Sequence, residues 1–325
     1  MEECLLKAIL NIQGNHENES GMQKFIKKFI SGIEGVSFKQ DKIGNIIVEK
    51  NLEGVEYLPA VASHMDTVFE TDKNFSVVLH DGRFFTPPYC DAGIGGDDRC
   101  GIYICLELLL ELPNLKVFFF TGEEVGCVGS NFIDLNEFNN CRFVIQPDRK
   151  GNSDLITNYN GQDTCGETFL GLLKSAEEVG FKHTTGIYTD VMTLLQRGLD
   201  ISVMNISCGY YNAHTPDEYI VISDLAHTLD TVRGLIKYSA DIRYFNNYSV
   251  IERDWIWFEE FSDDEDSEEQ DYDFCDNCGK SVNKTVHHLS GILCEDCFKE
   301  LEDEEDGEDI ADEYFESMKS QKGLI

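Results

Sequence analysis

Seven side chains of this 325-residue chain are of the kinds that hold and use metal ions, and each stands at an informative place. His64 and Asp66 follow the apolar run PAVAS, Glu123 and Glu124 follow LKVFFFTG, and Asp148 follows CRFVIQP. His214 comes shortly after ISVMNIS, and Asp97 opens a helical pattern directly after Gly95 and Gly96. A metal-ligating histidine commonly gives its second ring N–H to a carboxylate, and Asp66 is near enough to His64 in sequence to take it. Backbone at the two glycines before Asp97 can pass close to an ion. One carboxylate has two oxygens and can bridge two cations about 3.5–4 Å apart. Adjacent glutamates can divide the work, Glu124 binding metal and Glu123 facing a water. Two cations lower the pKa of a bound water toward about 7, and a free carboxylate can then take its proton. Each motif alone is ordinary surface or structural chemistry. Jointly, at the ends of apolar runs, they predict a hydrolytic metalloenzyme.

The elements that must carry these residues can be read from periodicity. Residues 1–34 predict two helices broken at GNHENESG, and GNIIVEK and LPAVASH read as strands rich in β-branched residues. FSVVLHDGRFF reads as a hairpin turning at Asp81-Gly82. A helix over about 98–112 ends at Pro113-Asn114, followed by strand LKVFFF, a helix over GSNFIDLNEF and strand CRFVIQ. Helices GETFLGLLKSAEEVGF and DVMTLLQRG, strand ISVMNIS and a long helix SDLAHTLDTVRGLIKYSADI complete the series. Strands alternating with helices predict a three-layer αβα domain with a mixed central sheet over 1–257. In open sheets of this kind ligands bind beyond the carboxyl ends of the strands, so the seven residues can converge across long separations.

The composition excludes several classes. Net charge is −35, split as −16 over residues 1–257 and −19 over 258–325, which disfavours nucleic acid and anionic membranes as partners. No apolar run reaches the roughly 18 residues a membrane span needs, and MEECLLKAILNIQ reads as an amphipathic helix rather than a signal peptide. The expected compartment is the reducing cytoplasm, with the eight cysteines from Cys4 to Cys208 as free thiols. Residues 258–273 hold ten acids and no base and read as a solvated linker, and residues 299–325 as an acidic tail. Between them, at 274–298, Cys275, Cys278, Cys294 and Cys297 have the C-x2-C-x15-C-x2-C spacing of a structural zinc site. That module resembles a zinc ribbon or treble-clef knuckle, and its acidic flanks favour protein contact or simple structural packing over nucleic acid. His287 and His288 read as surface residues.

The strings SHMDTV, GGDDRCG, TGEEVGCVGS, QPDRKG and NAHTPDE, in this order over about 40–240, resemble the two-zinc exopeptidase superfamily. This group contains peptidase T-like di- and tripeptidases and the glutamyl and leucyl aminopeptidases. The resemblance implies that His64, Asp97 and Asp148 hold one cation and that Asp97, Glu124 and His214 hold the other. It implies Glu123 as general acid/base and Asp66 as the group orienting His64, with zinc, cobalt or manganese as the metal. Peptidase T relatives insert a lid domain between the ligands equivalent to Asp148 and His214, whereas 65 residues separate them here, so a lidless form is expected. In lidless relatives a tyrosine can serve the oxyanion, and Tyr188 lies in the matching region, though an ordinary packed or loop tyrosine fits equally. Asp190 reads as a helix cap or as a group orienting a neighbour of the site. Asp98 reads as structural, and His80, His183 and His227 as surface or structural histidines.

The expected activity is that of an aminopeptidase on short peptides. Two alternatives stand beside it: a metal-dependent deacylase acting on N-acyl amino acids, and a non-catalytic adaptor working through the cysteine module.

Overall fold

The computed structural model describes residues 3–186 and 188–248, and the backbone of four short strands between 273 and 293. The four module cysteines, most of the acidic linker and the tail lie outside the described residues.

The chain begins with helices α1 (Glu3–Leu10) and α2 (Ser20–Ser31), then strands β1 (Val36–Gln40), β2 (Ile46–Asn51) and β3 (Leu58–His64). A hairpin of β4 (Val78–His80) and β5 (Arg83–Phe85) turns at Asp81 and Gly82, both with φ near +50 to +70° (47° and 71°). Helix α3 (Gly96–Glu111) leads into β6 (Asn114–Phe120), the short α4 (Val128–Phe132) and β7 (Cys141–Arg149). Then come β8 (Asp154–Tyr159), β9 (Gln162–Asp163), α5 (Glu167–Glu178), β10 (Lys182–Thr185), α6 (Asp190–Gln196) and β11 (Val203–Ser207). β12 (Tyr210–Tyr211), β13 (Tyr219–Val221) and the long α7 (Ile222–Tyr238) follow.

The central sheet runs β1-β2-β6-β3-β7-β11-β8-β10, with β9 paired to β8. β3 is parallel to both β6 and β7, and β11 is parallel to β7, while β1, β2 and β8 run antiparallel to their neighbours toward the sheet centre. The sheet is therefore mixed, as the alternation of elements predicts.

Its middle strands are apolar because both faces are covered. On β6, Leu115, Val117 and Phe119 join one core cluster and Phe118 and Phe120 the other; on β3, Val61 faces the first and Ala60 and Ala62 the second. The first cluster includes α1, α2, α3, α5 and α7, and the second includes α6 and the segment around Ile133 and Phe138. Small alanines on β3 leave room for the large rings of β6, and Phe118 stacks on Phe138 with centroids 4.2 Å apart. This is the expected three-layer arrangement.

Several details differ from the sequence reading, the edge strand β1 among them. GSNFIDLNEF is not one helix: Asp134 accepts from Asn136 N and starts a separate 3-10 turn at Leu135–Phe138. The segment between Asp148 and His214 builds β8, β9, β10 and β12 besides the expected helices and the expected strand β11, and β8, β9 and β10 extend the central sheet. A second, four-stranded antiparallel sheet, β12-β13-β5-β4, stands apart from the first. The eight cysteines from Cys4 to Cys208 are free, and seven of them are buried. Among the described residues, no helix is long and apolar enough to cross a membrane.

Candidate metal centre

Because β3, β6 and β7 are parallel neighbours, their carboxyl ends share one edge. The pairing of His64 with Phe120 sets the end of β3 beside the turn that carries Glu123 and Glu124. The pairing of Val61 with Ile145 sets His64 beside Asp148. Asp97 arrives from the start of α3, where Asp97 and Asp98 are non-helical and joined by a cis peptide. The glycines before them have a packing reason: a Cβ on Gly96 would come within 2.6 Å of the Tyr210 Cβ, so only glycine lets α3 begin this close to β12. His214 lies in the loop joining β12 to β13, in the left-handed region at φ 63°. That loop stands on an aromatic base, with Tyr211 stacked on Tyr219 at 5.1 Å and the Arg83 guanidinium over the Tyr219 ring at 5.1 Å.

These elements bring all five predicted ligands together. His64 Nε2 lies 3.1 Å from Asp97 Oδ1 and 3.5 Å from Asp148 Oδ1. His214 Nε2 lies 3.3 Å from Asp97 Oδ2 and 3.1 Å from Glu124 Oε1. Asp97 thus offers one oxygen to each group, and two clusters with metal-ligating geometry share it: His64, Asp97 and Asp148, and Asp97, Glu124 and His214. The first is deep, with the His64 side chain 1% exposed; the second is shallower, with His214 49% exposed.

The donor set fits cations. His64 Nδ1 lies 3.1 Å from the Asp66 carbonyl and 3.2 Å from Asp66 Oδ1, both acceptors, so the proton of a neutral ring belongs there. Nε2 then faces two carboxylate oxygens, an arrangement that calls for either a proton on Nε2 or a metal cation among them. Glu124 Oε1 is buried without a hydrogen bond, since its approach to His214 lacks the alignment of one. Such a buried oxygen is costly unless something positive meets it, either a protonated His214 or a metal ion in its place. Imidazole nitrogens with carboxylate oxygens and no thiolate suit zinc, cobalt or manganese.

Proton affinities carry the same signature. Burial pushes Asp148 well above the usual carboxylate range, and the charges of Asp97 and Asp98 push it further. Glu123 is pushed up to about 9, first by burial and then by Asp190, Asp97 and Glu124, against the pull of His64. Burial opposes a charge on His64, but its hydrogen bonds with Asp148, Asp66 and Asp97 outweigh that and hold its pKa high. Contacts with Asp97 and Glu124 raise His214 to about 10. The cluster has more acid than its own cations can balance.

Neighbouring side chains hold this arrangement in place. Asp66 Oδ1 accepts from Glu123 N and Oδ2 from Glu124 N, each at 3.0 Å, so it braces the glutamate turn as well as His64. Glu218, in NAHTPDE, accepts from Gly95 N at 2.8 Å and Asp97 N at 3.1 Å, and was not singled out from the sequence. Asp98 accepts from Ser63 Oγ at 2.6 Å and Gly101 N at 2.9 Å, consistent with a structural part. Asp190 does not cap its own helix. Its oxygens accept from Ser130 Oγ at 2.6 Å and Gln146 Nε2 at 3.2 Å, and the same Gln146 nitrogen lies 3.2 Å from Asp148 Oδ2. Of its two expected roles, orienting a neighbour of the site is the one the contacts favour.

The cleft over these groups has a volume of about 460 Å³ and is lined also by Arg149, Lys150, Ile156, Tyr188 and Tyr210. Tyr188 is 41% exposed there. A second depression, of about 590 Å³, opens around Arg83, Phe85, Pro88 and Tyr219 and is lined by none of the five convergent side chains. His183 bonds Thr157 and Glu177, His227 stacks on Phe181 at 5.1 Å, and His80 pairs with Asp81.

Peptidases are among the solved structures similar to this fold. Aminopeptidase PepT from Bacillus cereus matches with a TM-score of 0.60 at 14% identity, over 72% of this chain and 96% of that one. A tripeptidase from Staphylococcus aureus matches at 0.60 and 16%, over 71% and 96%. The TET1 peptidase of Pyrococcus horikoshii, which assembles into a tetrahedron or an octahedral shell, matches at 0.53 and 18%, over 71% and 98%. Likeness at these identities establishes a shared fold. No protein-family model matches the sequence, and no curated protein sequence does either.

Proposed function

We propose that the chain is a two-metal aminopeptidase acting on short peptides. The observation that carries this reading is Asp97, with one oxygen toward His64 and the other toward His214, and the neighbouring Glu123 outside both clusters. His64, Asp97 and Asp148 would hold one cation, and Asp97, Glu124 and His214 the other. Bound there, a cation pair would polarise the scissile carbonyl and make a water acidic enough to deprotonate near neutral pH.

Glu123 takes the proton of the attacking water and returns it to the departing amine. Its pKa near 9 belongs to a turn crowded by carboxylates; dications beside it would draw that value down into the range where a base works. Asp66 keeps His64 in one tautomer and fixes the glutamate turn. Tyr188, on the cleft wall, is the side chain we assign to the oxyanion. We place the catalytic unit at residues 1–257 and a separate structural zinc unit at 274–298, joined by the acidic linker.

The test is turnover by purified protein loaded with zinc, cobalt or manganese, against dipeptides, aminoacyl anilides and acetylated amino acids. Hydrolysis confined to substrates with a free amine is expected. Retained metal binding with no turnover of any substrate rejects the reading, and turnover of acetylated amino acids alone converts it to a deacylase.

Arg149 and Lys150 line the same cleft, and among the described residues the only ion pair on either is Arg149 Nε with Asp154 at 3.2 Å. The free carboxylate of a short peptide is the group they suit. Amidating a dipeptide's C-terminus should raise KM about 10–100-fold, as losing a charge-assisted hydrogen bond of roughly 1.5–3 kcal/mol would. The Arg149→Gln, Lys150→Gln double variant should no longer tell the two forms apart. Equal KM for both forms with the unmodified protein would remove these residues from substrate binding.

A further inference from the structure

The turn Thr121–Glu124 has an unusual set of backbone partners. Its four consecutive N–H groups each donate to a side-chain oxygen: Thr121 to Asn45 Oδ1 at 3.2 Å, Gly122 to Glu19 Oε1 at 2.8 Å, Glu123 to Asp66 Oδ1 and Glu124 to Asp66 Oδ2, both at 3.0 Å. Glu19 reaches the turn twice, since its Oε2 also accepts from the Thr121 hydroxyl. Buried backbone donors need partners, and this turn has no strand neighbour left to supply them, because the ladder from β3 ends at Phe120.

Glu19 comes from outside every metal motif. It stands just before α2, whose Met22, Phe25, Ile26, Phe29 and Ile30 are buried and anchor that helix in the core. Glu19 itself is 4% exposed. A buried carboxylate is expensive, and burial, followed by the charge of Asp66, pushes Glu19 up to about 8. Arg99 feels the charge of Glu19 but spends its hydrogen bonds on the backbone carbonyls of Ile12, Gly14 and Met65, and among the described residues no ion pair is made to Glu19. Its visible contribution is to the turn.

We propose that Glu19 is a positioning residue for the metal centre, setting the backbone from which Glu123 and Glu124 project. The inference rests on the two-metal reading for its effect on turnover, but its effect on metal binding can be measured without a substrate. Glutamine has the same shape: its carbonyl can still accept from Gly122 N, and its amide can donate to the Thr121 hydroxyl, which rotates to suit. Alanine leaves two buried donors unpaired, and the turn must shift to satisfy them.

The experiment compares the full chain with Glu19→Gln, Glu19→Ala and Thr121→Val, by calorimetric titration with zinc and by steady-state kinetics, all well below each variant's melting temperature. In Glu19→Ala, one of the two zinc-binding steps should weaken about 10–100-fold and kcat should fall by a similar factor, with KM within about threefold. Glu19→Gln should stay within about threefold of the unmodified protein in both. Thr121→Val, which removes one of the two bonds, should move the same quantities in the same direction by less, and it serves alone if Glu19→Ala does not fold. A lowered melting temperature with unchanged zinc affinity and kcat would make Glu19 merely structural, as would a Glu19→Gln variant as impaired as Glu19→Ala, or a folded Thr121→Val variant with full zinc affinity and kcat. Weakened zinc binding in Glu19→Ala, in a protein that hydrolyses nothing, would uphold the positioning role and reject the peptidase.

Discussion

Glu123→Gln lowers kcat by about 10²–10⁴ while both metal sites still fill, the range that removal of a general base produces. The substitution keeps the volume of the side chain and removes only its basicity. Glu123 belongs to neither ligand cluster, and its Oε1 is approached by the Cys127 thiol at 3.6 Å rather than by a histidine. Metal affinity should therefore change little. Calorimetric titration with zinc, run beside steady-state kinetics, separates the two effects. A variant with nearly normal kcat would take Glu123 out of the reaction, and one that no longer bound two ions would make it a ligand instead.

Stripping the protein with a chelator should end turnover and lower its melting temperature by roughly 8–16 °C. Ions that bind only the folded chain stabilise it by about 4 kcal/mol when present at a thousandfold excess over Kd, and each kcal/mol moves the melting midpoint by about 2–4 °C in a domain of this size. The physical source is visible at the buried Asp148 and the half-buried Asp97, which meet each other's charge without enough protein cations to balance them. Adding back zinc, cobalt or manganese should restore both activity and midpoint. An unchanged midpoint in fully stripped protein would mean that the ions do not occupy this buried cluster.

The positions of the strongest side chains were legible because the sequence marks them twice, by type and by place. PAVASH and LKVFFF are too continuously apolar for a sheet with a wet face, so their strands had to be central and their polar ends had to lie at an edge. The Asp81-Gly82 turn was legible from its dipeptide alone. The peripheral pieces were not. β10 reads KHTT and is mostly exposed, giving no alternation of apolar and polar residues to detect. β12 and β13 have two and three residues, too few for any period. GSNFIDLNEF looked like a helix because its apolar spacing suits one, and the competing tendency of Asp134 to cap a new turn decided otherwise.

The supporting shell was hidden for a different reason. Glu19, Asn45, Gln146 and Glu218 each reach a partner 40 or more positions away through tertiary structure, and no spacing announces that partner. Asp190 illustrates the ambiguity. An acid at the start of a helix is ordinarily read as a local cap, yet here it reaches across to Ser130 and Gln146. Burial together with a polar partner is what separates the two meanings, and neither is written in one sequence.

The central strands β6, β3 and β7 supply one side of the centre, whereas His214 hangs from a hairpin loop of the small sheet and Glu19 from the lead-in to an outer helix. Segments at the rim of a fold open more readily than its innermost ladder. Warming should consequently disable this molecule in a step that precedes its collapse: amide exchange would quicken first around 211–219 and 15–20, and catalytic competence would fade while the inner ladder was still intact.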